Sequence, residues 1–384
     1  MSAETYFDNN ATTSPLNAVT DEVVVCLRCD YGNPSSPHGR GHGSRVKLAN
    51  AREHVASLLG AKTDQIVFTA GATEGNNTVL KSVLDGGKRA RLITTPVEHS
   101  SVLKVSEHLE QQGVRVTYLD VDGSGRVTPD QLRAALSDPA DLVSIQWANS
   151  ETGVLQPIVE LSEVCRDHGV PFHVDAAQAV GRVPIKLAEL PIDYLTFTGH
   201  KLHGPQGTGV LFARDRKRLV PLIHGGDQEH DRRAGTENVP GIAGLGRAAT
   251  ERHETLDEAT RHMEAIRDRF EQGLLGRVAD VTVNGGRGNR VCNTSNIRFA
   301  GVEGQALMAQ LDRRGIICSQ TSACTSQRPE PSYVLRTLGL TDDEAFASVR
   351  FSFSVLNTVD EVDQAVDTIA DVCDRLRSFA RMAG

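Results

Sequence analysis

Leu142-Val-Ser-Ile-Gln-Trp147, Ile158-Val-Glu-Leu-Ser-Glu-Val-Cys-Arg-Asp-His168 and Pro171-Phe-His-Val174 follow one another with short polar or Gly-containing joints. The outer two are short apolar runs bounded by turn residues, the pattern of strands buried on both faces. The middle one reads as a helix. The same alternation extends on both sides. Gln65–Thr69, Arg91–Thr95, Val114–Leu119 and Tyr194–Phe197 read as strands, and Ser100–Gln112 and Pro129–Leu136 as helices. Helices between short strands imply right-handed crossovers and a mainly parallel sheet, hence an α/β fold. Such sheets bind ligands beyond the carboxyl ends of their strands. His99, Asn149, Asp175 and Lys201 all stand just after predicted strands, so one cleft is expected to gather them.

Thr198-Gly-His-Lys-Leu-His-Gly-Pro-Gln-Gly-Thr-Gly209 places Lys201 among small residues at a strand's mouth. Burial penalises an ammonium and favours the neutral amine, the form that makes a Schiff base with an aldehyde. Thr198 and His200 offer donors to a phosphate, and the glycines let backbone approach a ligand. Asp175, in His173-Val-Asp-Ala-Ala-Gln178, is an acid at the end of another strand. Enzymes that use pyridoxal 5′-phosphate (PLP) need that pair, a lysine for the Schiff base and an acid for the pyridinium nitrogen. A third strand runs into Ala70-Gly-Ala-Thr-Glu-Gly75, a turn and helix start whose N–H groups suit a phosphate.

The chain has 384 residues, 39% of them hydrophobic, with 35 glycines, 15 prolines and a formal net charge of −8. That length supports two domains, and the charge makes the chain no match for nucleic acid or an anionic membrane. No apolar run approaches a membrane span of ~20 residues, and the opening residues do not resemble a signal peptide. An odd set of seven cysteines points to free thiols in a reducing cytoplasm. Cys26 and Cys29 fall within a helical pattern with no second ligand pair, so no metal site is expected.

Other stretches frame this core. Pro15 opens a helix, and Gly43–Leu59 forms another, stopped by Gly60. His224–Val239 reads as an exposed loop, too polar for core. A long helix over Pro240–Leu274 follows, with its charges, among them Arg252 and Arg267, on a solvated face. It bridges to an α+β unit with strands at Asn296–Phe299, Ile316–Ser319 and Val349–Phe353 and a closing helix over Val359–Phe379. The expected division is 15–258 for the larger domain, and 1–14 with 259–384 for the smaller.

In order along nearly the whole chain stand DNNATT, GNPSSPH, TAGATEGNN, VEHSSV, VDAAQ, TGHKLHGPQG, a GT after HGG, SACTS, EPSYVLR and VRFSFS. Together they resemble the cysteine desulfurases, PLP-dependent enzymes of fold type I, and within them the NifS/IscS-like class. The resemblance implies a mainly parallel seven-stranded sheet plus a smaller α+β domain, a homodimer in the cytoplasm, and L-cysteine as substrate. Sulfur would pass to an enzyme persulfide and then to a protein acceptor serving iron–sulfur assembly, tRNA thiolation or DNA phosphorothioation. Lys201 would hold PLP, Asp175 its pyridine nitrogen, and Gln178 its phenolic oxygen. His99 would lie over the ring and assist proton transfer. Ala72, Thr73, Thr198 and His200 would hold the phosphate, joined by Thr236 of the other subunit. Arg350, with Asn33 near it, would take the substrate carboxylate, and Cys324, on a loop expected to move, would be the persulfide-forming nucleophile.

Two positions depart from that pattern. The family usually has a second Asn where this chain has Ser150, so either Asn149 or Ser150 takes the contact to the phenolic oxygen. Ser319-Gln-Thr-Ser322 stands where the family favours Ser-Ser-Gly-Ser. Other readings of the residues are selenocysteine lyase or another PLP-dependent C–S lyase, an aminotransferase, or a non-catalytic platform for sulfur-transfer partners.

Overall fold

A computed structural model describes residues 4–84, 90–286, 288–320 and 330–383, with side chains as far as 379. The first half contains β1 (Thr5–Tyr6), α1 (Asn17–Cys29), α2 (Gly39–Leu59), β2 (Ile66–Thr69), α3 (Ala72–Lys81), β3 (Arg91–Thr94) and α4 (Ser100–Gln111). There follow β4 (Arg115–Tyr118), α5 (Pro129–Ala135), β5 (Leu142–Ser144), α6 (Ile158–Asp167), β6 (Phe172–Asp175), β7 (Tyr194–Thr198) and β8 (Gly209–Ala213). The remainder holds α7 (Gln228–Asp231), α8 (Val239–Arg277), β9 (Val281–Val283), β10 (Thr294–Phe299), α9 (Gly304–Asp312) and β11 (Ile316–Ile317). It ends with α10 (Tyr333–Thr337), α11 (Asp342–Phe346), β12 (Ser348–Ser352) and α12 (Val359–Ala383).

Seven strands form the larger sheet in the order β2-β8-β7-β6-β5-β3-β4. The run from β7 to β4 is parallel, as the helix-strand alternation demands. β8 runs antiparallel to both β2 and β7, which makes the sheet mixed. β2, β3, β6 and β8 are buried along their whole length, so helices must cover both faces. One face packs Val55, Leu59, Ile158, Leu161 and Leu245 against Phe172, Leu195 and Phe197. The other packs Val79, Leu80, Val102, Val105 and Leu109 against Val67, Leu92 and Leu211.

Expected helix boundaries hold where local chemistry marks them. Gly60 ends α2 at φ 58°, a left-handed cap that glycine adopts without strain. Thr128 and Gln131 form a capping box at α5, with Pro129 at its first position. The expected strand over Leu142–Trp147 is shorter. Beyond Ser144 the N–H groups of Ile145 and Trp147 still reach His173 O (3.1 Å) and Asp175 O (2.8 Å), but β3 has ended on the other side.

A second sheet, β12-β10-β9, is antiparallel, and β1 pairs in parallel with β11. Its core joins Ile266, Phe270 and Leu274 of α8 to Phe7, Phe299, Phe351, Phe353 and the inner face of α12. Phe270 meets Phe351 and Phe353 at ring separations of 4.8 and 5.2 Å. α8 therefore serves both cores, its first turns on the larger sheet and its last turns on the smaller. The division expected between 258 and 259 falls inside this one continuous helix.

Two surface assignments are corrected. The His224–Val239 stretch is not wholly exposed. Glu229, at left-handed φ 49°, is buried and makes a bidentate pair with Arg52 while accepting from Phe68 N (2.9 Å). On α8, Arg252 and Arg267 are buried rather than solvated. Arg267 donates to Val291 O (2.8 Å) and so ties the helix to the chain entering β10. Among the described residues no helix is long and apolar enough to cross a membrane.

Candidate active site

A cleft of about 1070 Å³ opens over the carboxyl ends of β5, β6 and β7. Ala72, Thr73, His99, Ser150, Asp175, Gln178, Thr198, His200, Lys201 and Arg350 all line it. Parallel strands bring three of its walls to one edge, and Arg350 arrives from β12 of the second sheet. The N-terminal segment closes the gap between the sheets. Asn10, 2% exposed, donates to Thr294 Oγ1 (2.9 Å) and Ser150 O (3.1 Å), and its N–H meets Ser352 Oγ (2.8 Å).

Lys201 follows β7 on a short 3-10 turn, and its Nζ donates to the carbonyls of Asn10 and, at 2.7 Å, Ala11. Burial brings its amine down to about 7, helped by the charges of Arg182 and Arg350 and opposed by Asp8 and Asp175. Burial and the adjacent Lys201 likewise bring His200 down to about 4. That imidazole is neutral at ordinary pH, with Nδ1 3.2 Å from Thr12 Oγ1.

Asp175 and His99 are joined by residues that the sequence reading passed over. Asn76, fully buried on α3, donates to Asp175 Oδ2 (2.7 Å) and to Ser101 Oγ (2.8 Å). Its carbonyl accepts from Thr196, which fixes the amide's orientation. Ser101 passes the chain on to His99 Nδ1, through Oγ at 2.8 Å and its backbone N–H at 3.1 Å. His99 thereby caps α4 with Nδ1 as acceptor, leaving Nε2 to carry the proton of the neutral ring. Asn76 stood in plain view inside TAGATEGNN, but no residue pattern states which polar side chain of a helix faces a sheet.

Three expected site residues do not line this chain's cleft, Thr236 being expected only at that of the other subunit. Asn33 is exposed and accepts from Ser35 N (2.9 Å) to close its own turn. Thr236 is exposed and does not line the cleft. Asn149 is consumed by its own turn, accepting from Glu151 N and Thr152 N (2.9 Å each) and donating to Val97 O (3.0 Å). Of the two alternatives for the phenolic oxygen, Ser150 lines the cleft. Cys324 falls outside the described residues.

The donor set fits PLP. The N-cap of α3 is Gly71, which has no side chain to cap the helix, so first-turn N–H groups face the cleft as a phosphate site. Gly209 keeps the approach close, since a Cβ there would sit 2.5 Å from Gly71 Cα. Lys201 suits the aldehyde and Asp175 the pyridine nitrogen. Arg350 spends two nitrogens on Ser150 O (3.1 Å) and Asp8 (2.6 Å), while its buried Nε has no partner. Arg350 lines the cleft, and a guanidinium with an N–H still unpaired suits an incoming carboxylate.

The family model for class-V aminotransferases matches residues 5–365. The chain belongs to that family. A cysteine desulfurase of Trichormus azollae is 44% identical over 376 residues, 98% of this chain and 94% of the relative. A NifS-like protein of known structure superposes with a TM-score of 0.91 at 36% identity, covering 97% of this chain and all of that one. The structure of SspA in complex with cysteine is 33% identical, with a TM-score of 0.81 over 92% of this chain and 100% of its own. Within its family the chain is a cysteine desulfurase, and its cofactor is PLP.

Proposed function

We propose that this cleft takes sulfur from L-cysteine with the following division of labour, leaving L-alanine. Lys201 is the residue that binds PLP and moves the proton at substrate Cα. Its support is the single most telling observation, a buried amine brought to about 7 in the same cleft as Asp175 and Arg350. When bound, PLP supplies an electron sink that lets the Cα proton leave and loosens the bond to sulfur. Asp175 stabilises charge on the pyridine nitrogen, held in place by Asn76 and by Ala177 N (3.0 Å). His99, with Nδ1 held by Ser101, would carry and move a proton through Nε2. Arg350 binds the substrate carboxylate through its unpartnered Nε. Ala72, Thr73, Thr198 and His200 hold the phosphate, and Gln178 with Ser150 faces the phenolic oxygen.

Cys324 is the nucleophile. Its thiolate attacks the substrate sulfur, the Cβ–S bond breaks, and the sulfur stays as a persulfide for a protein acceptor. Support comes from the buried cysteines, since the exposed Cys29, at the end of α1, does not line the cleft. Burial pushes Cys165, Cys318 and Cys373 up to about 12 and Cys26 to about 11, so these are unreactive thiols at neutral pH. Cys292 is buried and raised as well. The free cysteines fit a cytoplasmic enzyme. Mass spectrometry after one turnover tests the scheme. A persulfide on Cys324, lost together with sulfide release in Cys324→Ser, supports it. A persulfide on another cysteine, or normal turnover in Cys324→Ser, rejects it.

A further inference from the structure

Gln178 and Arg182 lie on the turn after β6, four residues apart. Arg182 donates through Nη1 to Gln178 O (3.0 Å) and Gln178 Oε1, and through Nη2 to Lys201 O (3.3 Å). On its other side the Gln178 amide donates from Nε2 to Asn10 O (3.1 Å). A guanidinium only donates and a carbonyl only accepts, so both neighbours demand the same orientation of the amide. Its oxygen faces Arg182 and its NH2 faces the cleft-lining Asn10.

Arg182 is 5% exposed, and no carboxylate among the described residues pairs with it. The ionisable groups around it are Cys292, Arg252, Arg350, Lys201 and His203, whose imidazole burial brings to about 4, and burial brings the Arg182 guanidinium to about 10. It is therefore still a cation at neutral pH. A buried charge without a counter-ion is costly, and this one borders the reactive lysine. Lys201 in turn faces Arg182, Arg350, Asp8, Asp175 and the neutral His200.

We propose that Arg182 is a positioning residue for the cofactor, locking the Gln178 amide as a donor to the phenolic oxygen and keeping the lysine nitrogen easy to deprotonate. The inference rests on the reading that Lys201 carries PLP. Both effects act in one direction. A nearby positive charge disfavours a protonated nitrogen. A donor on the phenolic oxygen draws its negative charge away from the same proton. Removing Arg182 weakens both.

The test is a pH titration of the visible absorption band of the holoenzyme, which reads the lysine-bound nitrogen and not activity. Arg182→Met raises the midpoint by about one pH unit, a tenfold gain in proton affinity. Arg182→Lys keeps a charge but loses the planar fork, and its midpoint falls between those of the parent and the Met variant. Both variants titrating at the parent's midpoint overturns the proposal. If Arg182→Met does not fold, Arg182→Lys decides alone, a raised midpoint supporting the proposal and an unchanged one overturning it. Borohydride reduction followed by peptide mapping checks the underlying reading separately. Cofactor fixed to Lys201 with unshifted variants sinks only the role of Arg182, whereas cofactor fixed elsewhere sinks the assignment of Lys201.

Discussion

Lys201 and Glu98 show how much chemistry two buried side chains acquire from position. For Lys201 the ordinary value of 10.5 falls to about 7 through burial first and Arg182 second. Only the neutral amine adds to an aldehyde. Loading of PLP into cofactor-stripped protein should therefore accelerate as pH rises through about 7, then level off. Stopped-flow loading rates check this, and acceleration continuing toward pH 10 would contradict it. Glu98 moves the other way. It is fully buried beside His99, accepts from Thr95 Oγ1 (2.7 Å) and Gln146 N (2.9 Å), and burial lifts its carboxyl from 4.5 to about 8. Between those values the folded protein keeps a proton that the unfolded chain has released, so stability falls as pH climbs from 4.5 to 8. Glutamine mimics the protonated acid and does not titrate. The melting temperature of Glu98→Gln should gain on that of the parent across this window and hold its lead above it. Parallel melting curves from pH 5 to 9 would show that Glu98 does not titrate there.

At the scale of elements, β2, α3 and β8 make the phosphate end of the cleft by close backbone packing. Gly209 on β8 lies against Gly71, the residue that opens α3, and an added methyl would meet backbone atoms at 2.5–2.8 Å. Backbone yields less easily than a side chain. Gly209→Ala should push the α3 terminus away, costing about 1–3 kcal/mol of stability. It should also weaken PLP binding at least about tenfold, the factor that 1.4 kcal/mol represents. Equilibrium dialysis with PLP would read it, and unchanged affinity would reject it. The parallel sheet and the strand-end addresses of Lys201, Asp175 and His99 were legible because period and turn chemistry are local. The relay from Asp175 through Asn76 and Ser101 to His99 was not, because it depends on which face of α3 meets β7. Arg52–Glu229 escaped for the same reason. A carboxylate in a polar stretch looks solvated until a distant arginine is folded onto it. β1, of two residues, is too short for any periodic signal, whereas the strand expected over Ile316–Ser319 is present, shortened, as β11.

The whole molecule bears on Thr236, which stands exposed on the chain leading into α8 and outside its own cleft. The nearby Arg233 is tied to Glu74 of α3 at 2.9 Å, so this segment runs close to the phosphate end without Thr236 entering the cleft. A second copy of the chain would let Thr236 serve the neighbouring phosphate site, as the proposed homodimer requires. Mixing two defective variants separates service across subunits from service within one. Take Lys201→Ala and Thr236→Ala dimers, unfold and refold them together, and assay at limiting PLP. If Thr236 reaches across, each mixed dimer holds one site with both defects and one with none. Activity should then recover to about a quarter of the parent's, since half of randomly assorted dimers are mixed and each carries one intact site. If Thr236 acts within its own chain, every site keeps a defect and mixing restores nothing above the average of the two variants. Recovery that fails while light scattering still reports dimers would place Thr236 outside the partner's site. A fully active monomer at assay concentration would remove the shared-site arrangement altogether.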